Sequence, residues 1–362
     1  LNDIWDAWYN GIYRCNDVLD HLAGAKIANY DKYRGEVLFM RSWWYFNLYR
    51  AFGGVPIAHK VVSPADAKTI RRCTDDEMYA LLTGDLAEAA RLLPASKGAE
   101  KARVTDIAAW TLLAKVYLTF GKPGEAKTAL EEAMKNPNYG LVNTTADAFN
   151  VKNKFNKEII FALYYNKAND TGHGYWYSTT KPEEAQLTQP APVFRALYDA
   201  RDNRLPLISE YTEDKKGTYL LNKWFDNRND ALKGNVVEND FPHLRYADVV
   251  LMYAEALAES GSSLGDALVW LNKTRTRAGL DALRTEDIPS KGAFIEALAD
   301  ERGREFALEG HRWFDLVRLG LALDRFHEMG YKLDAHNLLF PIPQNQIEIV
   351  NDKTILWQNP GY

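Results

Sequence analysis

Cysteine is scarce in this chain: Cys15 and Cys73 are the two present in 362 residues. Neither stands at zinc-type spacing from a cysteine or histidine, so a zinc site is not expected. Cys15 falls in a helical pattern and reads as a small buried apolar residue. Sequence alone supports no disulfide between the two. Long apolar runs are also missing. None approaches the roughly 18–20 residues that cross a bilayer, and the stretches present are broken by polar residues such as Lys115. A basic excess is missing as well. The net charge of -5 argues against a nucleic-acid partner, which would show a basic stripe. There is no Gly-rich phosphate loop, no HExxH pair and no G-x-S-x-G elbow. His21, His59, His173, His243, His311, His327 and His336 are scattered, with none at metal spacing. No metal and no cofactor is therefore expected. No signal peptide or lipidation site is visible.

What the chain does have is ordinary for a soluble globular protein, 46% apolar and 26% charged residues. Helical periodicity dominates its two ends. Over 1–24, Ile4, Trp8, Ile12, Cys15 and Leu19 form an apolar stripe with Trp5 and Tyr9 beside it. The next helix, 31–52, carries Val37, Met40, Trp44, Leu48 and Ala51 on its expected buried face. Trp43, Tyr45, Phe46 and Tyr49 widen that face to most of the circumference, which predicts burial on several sides. Trp43 and Trp44 have the chemistry of a sugar platform, but core is the favoured reading. Gly53-Gly54 ends this helix. Thr74-Asp75-Asp76-Glu77 is a capping box that opens a helix running to about Leu93. Trp110, Leu113, Ala114, Tyr117 and Leu118 then share a face. After the turn GKPG, so do Ala126, Ala129, Leu130 and Ala133. Two helices, a tight turn and small residues at fixed offsets resemble a tetratricopeptide repeat. Ala254–Arg275 reads as another such pair. Repeats of this kind need stacked neighbours to bury their faces.

From Asn136 to Phe241 the helical pattern weakens. Glu158–Tyr165 reads as a strand with Phe161, Leu163 and Tyr165 on one side, 191–200 as a short helix, and Tyr219–Trp224 as a further strand. Leu244 returns the chain to helix. Irregular segments this long in a compact chain are usually functional or disordered, and the aromatic content argues against disorder. The candidate binding site lies here, at Tyr164, Tyr165, His173, Tyr175, Trp176 and Tyr177, interleaved with Asn166, Asn169 and Asp170 and joined by Trp224. Sugars carry apolar C–H faces and polar rims. Flat rings cover the faces while amide and carboxylate side chains bond the hydroxyls. Such a site works by binding alone. The competing reading makes these aromatics the core of the irregular lobe.

The densest stretch is DERGREFALEGHRWFDLVRLG, Asp300 to Gly320. Phe294, Leu298, Glu301, Glu305 and Leu308 recur at helical spacing, which puts two carboxylates on an otherwise apolar stripe. Arg302, Arg304 and Arg312 are the nearest partners in sequence, and Asp315 can reach His311 or Arg312. One reading is a general acid/base pair of Glu301 and Glu305. The other, favoured because no nucleophile or metal cage is nearby, is a buried ion-pair network that fixes how helices cross.

This stretch resembles the C-terminal signature of the SusD/RagB family of nutrient-binding outer-membrane lipoproteins. RGEVLFMRSWWYFNLYRAFGGVPI from Arg34, LRYADVVLMYAEALAE from Leu244 and LLFPIPQNQIEIVNDKTILWQNPGY from Leu338 agree with it in the family's order. Asp202-Asn203-Arg204 resembles the family's Asp-x-Arg turn. The resemblance implies a mainly α fold: a tetratricopeptide-like helical repeat superhelix with an irregular, loop-rich lobe containing short strands. It implies one SusD-like domain over 1–362 that lacks its N-terminal segment. Residues 1–135 and 243–330 would be scaffold, 136–242 the ligand-binding lobe and 331–362 an irregular tail. It further implies an oligosaccharide ligand, a TonB-dependent SusC-like transporter as partner, and a lipid anchor lying outside this chain as the only membrane attachment. A peptide ligand, as in the RagB branch, a glycoside hydrolase and a protein-binding repeat scaffold remain as alternatives.

Overall fold

The computed structural model describes residues 1–98, 100–165, 192–208, 210–212, 218–220, 223 and 239–362. The chain is mainly helical. It divides into two compact units, one formed by Leu1–Ser96, Val104–Ala133 and Gly320–Tyr362, the other by Lys97–Arg103 and Met134–Leu319. None of the described helices is long and apolar enough to cross a membrane.

In the first unit the Asn2–Leu22 helix buries Trp5, Ile12, Cys15 and Leu19. The expected stripe holds at Ile12, Cys15 and Leu19 and departs at its start. Ile4 is 42% exposed and Trp8 half-buried, because the larger Trp5 ring takes the seat, edge-on to Phe52 at 5.1 Å. A Cβ at Gly11 would lie 2.5 Å from Trp44 Nε1, so glycine is what lets the first two helices approach. The Tyr30–Phe52 helix packs against both Asn2–Leu22 and Asp75–Leu92, which is why it is apolar nearly all round. Its sealed residues include Leu38, Phe39, Tyr45, Phe46 and Leu48, and Trp43 is core. Val37, Met40 and Trp44, expected on the buried face, are half-buried. The Thr74 capping box forms as read: the Thr74 hydroxyl accepts from the Glu77 amide and the Glu77 carboxylate from the Thr74 amide. Buried Arg41 forks onto Asp85 at 2.8 Å through both Nε and Nη2, and Nη1 donates to Asn16 Oδ1 at 3.0 Å. That ion pair fixes the angle between two helices. Both cysteines are free thiols, Cys15 buried and Cys73 half-buried.

The chain's final segment returns to this unit through Arg72. This buried guanidinium donates to the carbonyls of Gly54 (2.6 Å), Phe52 (3.2 Å) and Trp357 (2.8 Å) and to Asn359 Oδ1 (2.7 Å), and it lies 4.9 Å from the Trp357 ring centroid. Asn359 Nδ2 in turn donates to the carbonyls of Phe52 and Phe340. The tail is less irregular than expected, since Gln344–Val350 is a helix.

In the second unit the Ile159–Leu163 strand pairs antiparallel with Phe241–Arg245, with register shifts between Ile159 and Ala162. Leu244, expected in a helix, is therefore in a strand, and the helix begins at Tyr246. Phe161 is buried while Leu163 is exposed, because the irregular pairing breaks strict alternation. Glu210–Thr212 pairs with Thr218–Leu220, which overlaps the start of the strand expected over 219–224. The helix expected over 191–200 is the single turn Pro192–Arg195. The helices Tyr246–Glu259, Leu264–Arg277 and Lys291–Glu305 pack on one another around Leu251, Ala254, Leu268, Leu271, Phe294 and Leu298. Alanines at their contacts let the backbones come close. Ser263 and Ser290 cap the second and third of these helices. The third ends at Glu305, and Leu308, expected on its face, instead takes φ of 67° in the turn beyond it.

Candidate ligand-binding site

The two carboxylates singled out by the sequence are sealed inside the second unit. Arg204 Nη1 donates to Glu301 Oε1 (2.7 Å) and Glu305 Oε2 (3.2 Å). Arg245 Nη1 donates to Glu158 Oε1 (2.5 Å) and Glu305 Oε1 (2.9 Å). Arg277 bridges the same two acids, at 2.7 Å from Glu158 Oε2 and 2.6 Å from Glu305 Oε1. Glu309 takes a fork from Arg245 (2.7 and 2.8 Å) and the Lys223 ammonium (2.6 Å). Asp202 chelates Arg204 through both carboxylate oxygens, and Arg304 closes on Glu301. The acids Glu158, Asp202, Glu301, Glu305 and Glu309 thus face the bases Arg204, Lys223, Arg245, Arg277 and Arg304. The charges balance, as burial requires. Burial pushes the Glu305 carboxyl up, but Arg277, Arg245 and Arg204 overcome it and hold it well below the usual carboxylate range. Burial likewise opposes, and Arg204 and Arg304 outweigh it, at Glu301. Carboxylates held ionised and out of solvent cannot lend a proton, so Glu301 and Glu305 form a structural network.

The partners differ from those nearest in sequence. Arg302 pairs with Asp248 and Asp315, both at 2.8 Å, and has no ion pair with Glu301 or Glu305. Arg318 joins Asp315 to Glu255. Arg312 lies 3.7 Å from Asp300 and donates to the Ala299 carbonyl. A Cβ at Gly303 would lie 2.9 Å from the Arg312 guanidinium, so the glycine leaves room for that side chain in its present position. Helical spacing shows which side chains share a face; it does not show which distant arginine meets them.

The aromatic candidates begin where the Ile159–Leu163 strand ends. Tyr164 is 43% exposed and Tyr165 half-buried. The Tyr165 amide donates to Asp240 Oδ1 at 3.1 Å, and Lys154 Nζ donates to the Tyr165 carbonyl (2.7 Å) and to Asp240 Oδ1 (2.9 Å). The backbone carrying the two tyrosines is thus pinned from both sides. Phe155 holds its ring 5.2 Å from Tyr164, tilted 37°. It does so with φ of 55°, a conformation that is a true outlier for a bulky residue. Asn156 supports that turn, its Nδ2 donating to the carbonyls of Ala148 and Asn153. Lys154 Nζ lies 4.8 Å from the Tyr164 ring centroid. Lys97 Nζ lies 5.6 Å from both the Phe155 and Tyr139 rings and donates to the Ile159 carbonyl at 2.9 Å. Burial pushes the Lys97 ammonium down to about 8, with the Lys101 charge adding to the shift. Asn166, Asn169, Asp170, His173, Tyr175, Trp176, Tyr177 and Trp224 lie outside the described residues. Sequence reading missed Lys97, Tyr139, Lys154, Phe155 and Asp240. No local pattern marks Lys97, Tyr139 or Asp240. For Lys154 and Phe155 the available signal was the lysine run Lys152, Lys154 and Lys157 around Phe155, just before the strand.

A larger depression lies in the first unit, about 520 Å³, lined by Ile57, His59, Ile70, Arg71, Cys73, Glu77, Ala80 and Leu81. Its charged residues Arg71 and Glu77 already satisfy each other at 2.6 Å. Its lining offers no Trp, Tyr or Phe face to a sugar. Volume alone does not make it the better candidate. Among the described residues no cluster of His, Cys, Asp and Glu is arranged to hold a metal ion.

Comparison with known proteins follows the same lines. Residues 203–338 match the family described as "SusD family", and residues 1–118 the family described as "Starch-binding associating with outer membrane". SusD-like protein P25 of Formosa agariphila is 23% identical, aligned over 96% of this chain and 77% of its own length. SusD-like protein P2 of the same organism is 26% identical over 90% of this chain and 73% of its own. Among solved structures, a laminarin-binding SusD-like protein superposes with a TM-score of 0.82 at 27% identity, covering 99% of this chain and 85% of that one. A SusD superfamily protein from Parabacteroides distasonis gives 0.86 at 26% identity, covering 100% and 86%.

Proposed function

Because this chain belongs to the SusD/RagB family, we propose that it binds glycan without catalysis, on the aromatic surface that opens at Tyr164. The ring pair of Tyr164 and Phe155 is the observation that carries this reading. One ring is exposed, the other is kept in place against its backbone preference, and the polar groups of Lys154 and Asp240 stand beside them. Flat faces with polar neighbours match the two chemistries of a sugar ring. Strain of this kind persists only where the surroundings over-determine it, and it collects at functional sites. Tyr165 and the following Asn166, Asn169, Asp170, His173, Tyr175, Trp176 and Tyr177, with Trp224, complete the proposed surface. The names of similar proteins support a carbohydrate ligand: one neighbour is titled laminarin-binding, and one matching family is described as starch-binding. The reading against catalysis rests on Glu301 and Glu305, whose charges are neutralised in the interior.

The same reading extends to place and partner. The protein acts at the extracellular face of the outer membrane, held by a lipid anchor, and hands oligosaccharide to a TonB-dependent transporter of the SusC type. A glycan array followed by calorimetry on the hits tests the binding reading; absence of any saccharide ligand ends it. Incubation with a bound oligosaccharide tests the rest, because sustained release of shorter products would make the protein a hydrolase.

A further inference from the structure

The segments next to the proposed ring surface carry more positive charge than the chain as a whole leads one to expect. The net charge of the protein is -5. Yet the two segments that frame the rings are basic: 97–103 contributes Lys97, Lys101 and Arg103, and 152–157 contributes Lys152, Lys154 and Lys157. Glu100 pairs with Arg103 at 3.7 Å and Asp240 with Lys154 at 2.9 Å. Lys97 is different. It is half-buried between Tyr139 and Phe155, and among the described residues its one hydrogen-bond acceptor is the Ile159 carbonyl. An ammonium has three donors, so two point elsewhere. Taking an ammonium out of water without a carboxylate in direct contact is costly: burial and the Lys101 charge lower the proton affinity of Lys97, and the Asp240 carboxylate, which is not among its hydrogen-bond partners, offsets only part of that. The cost would be relieved by an anion arriving beside the rings.

Resting on the glycan reading above, we infer that the ligand is an anionic glycan, with its carboxylate or sulfate received by Lys97 while a sugar face lies on Tyr164 and Phe155. Uronate carboxylates and sulfate esters share the chemistry needed: a compact oxyanion accepting charge-assisted N–H bonds. Lys154 has its hydrogen bonds on Asp240 and Tyr165 and serves to fix the backbone, which leaves Lys97 as the reader of charge.

The test uses matched ligands on the whole chain. Calorimetry compares oligogalacturonate with its fully methyl-esterified form, and a sulfated galactan oligosaccharide with its desulfated form. The parent is expected to bind one anionic member at least about tenfold more tightly than its neutral match, a difference of about 1.4 kcal/mol. That preference should shrink between about 50 mM and about 300 mM salt. In Lys97→Met it should collapse to less than about threefold, and in Lys97→Arg, which keeps the charge, it should persist. The preferred pair tells carboxylate from sulfate. If the parent binds neutral and anionic members equally, the charge inference falls and the glycan reading stands. If it binds glycans of neither kind on these probes or on the array, both fall. If Lys97→Met keeps the full preference, Lys97 is not the reader.

Discussion

Arg245 Nη1 lies 2.9 Å from Glu305 Oε1, and both side chains are closed off from solvent. The pair is one link of a larger network, since Arg245 also reaches Glu158 and Glu309. Arg277 and Arg204 reach the same carboxylate, so Glu305 is the shared anion of three guanidiniums. Glu305→Ala is expected to cost about 3–5 kcal/mol of stability by leaving the buried network with one positive charge in excess, without a selective effect on ligand affinity. Urea denaturation of mutant and parent measures this. Equal midpoints would contradict the structural role.

The same network sets the response to acid. The carboxyls of Glu301 and Glu305 lie below their ordinary value of 4.5 in the folded chain. The unfolded chain therefore takes up these protons first as pH falls. Their contribution is fully present above about 4.5 and is lost as pH drops through the folded values. Lys97 works at the other end. Folded, it releases its proton near 8, and unfolded near 10.5, so the unfolded chain holds more protons in that window and stability rises with pH across it. Lys97→Met should flatten that rise and stabilise the protein at neutral pH by about 1–3 kcal/mol. Denaturation midpoints from acid to alkaline pH check both slopes.

Ring removal should separate binding from folding. Trp176→Ala and Tyr164→Ala are each expected to weaken glycan binding by about 1–3 kcal/mol, the size of a lost stacking platform, while the melting temperature of Tyr164→Ala changes little because that ring is exposed. Unchanged affinity in calorimetry would remove the residue from the site.

Arg72→Met should loosen residues 351–362. The change keeps much of the side-chain bulk but leaves the carbonyls of Gly54, Phe52 and Trp357 and the Asn359 amide oxygen without their donor. The expected cost is about 2–4 kcal/mol, at about 1 kcal/mol for each hydrogen bond broken. Limited proteolysis should cut the tail in the mutant under conditions that leave the parent intact.

Periodicity made the helices legible. The capping box at Thr74, the stop at Gly53 and the all-round burial near Phe46 follow from local chemistry, and the sequence displays them directly. Two kinds of feature stayed hidden. The first is a one-position shift at the start of a face, as at Ile4 and Trp5, where ring size at the contact decides and spacing does not. The second is partnership at long range. That Glu305 would meet Arg204 and Arg277, or that Leu244 would pair in a strand with Phe161, depends on how distant segments are brought together. The candidate site divides the same way. Tyr164 and Tyr165 were marked by the aromatic run they begin, whereas Lys97 meets Ile159 and Asp240 meets Tyr165 from segments more than 60 residues away.

Arg72 and its acceptors on Trp357 and Asn359 are 285 and 287 residues apart. A ribosome must therefore make the entire second unit before the first can be fastened. Until then Arg72 lacks two of its four acceptors, the Trp357 carbonyl and the Asn359 side chain. The order of synthesis is nested: the second unit has all its residues earlier than the first, and a nascent chain halted before residue 357 would lack the acceptors that fasten the tail to Arg72.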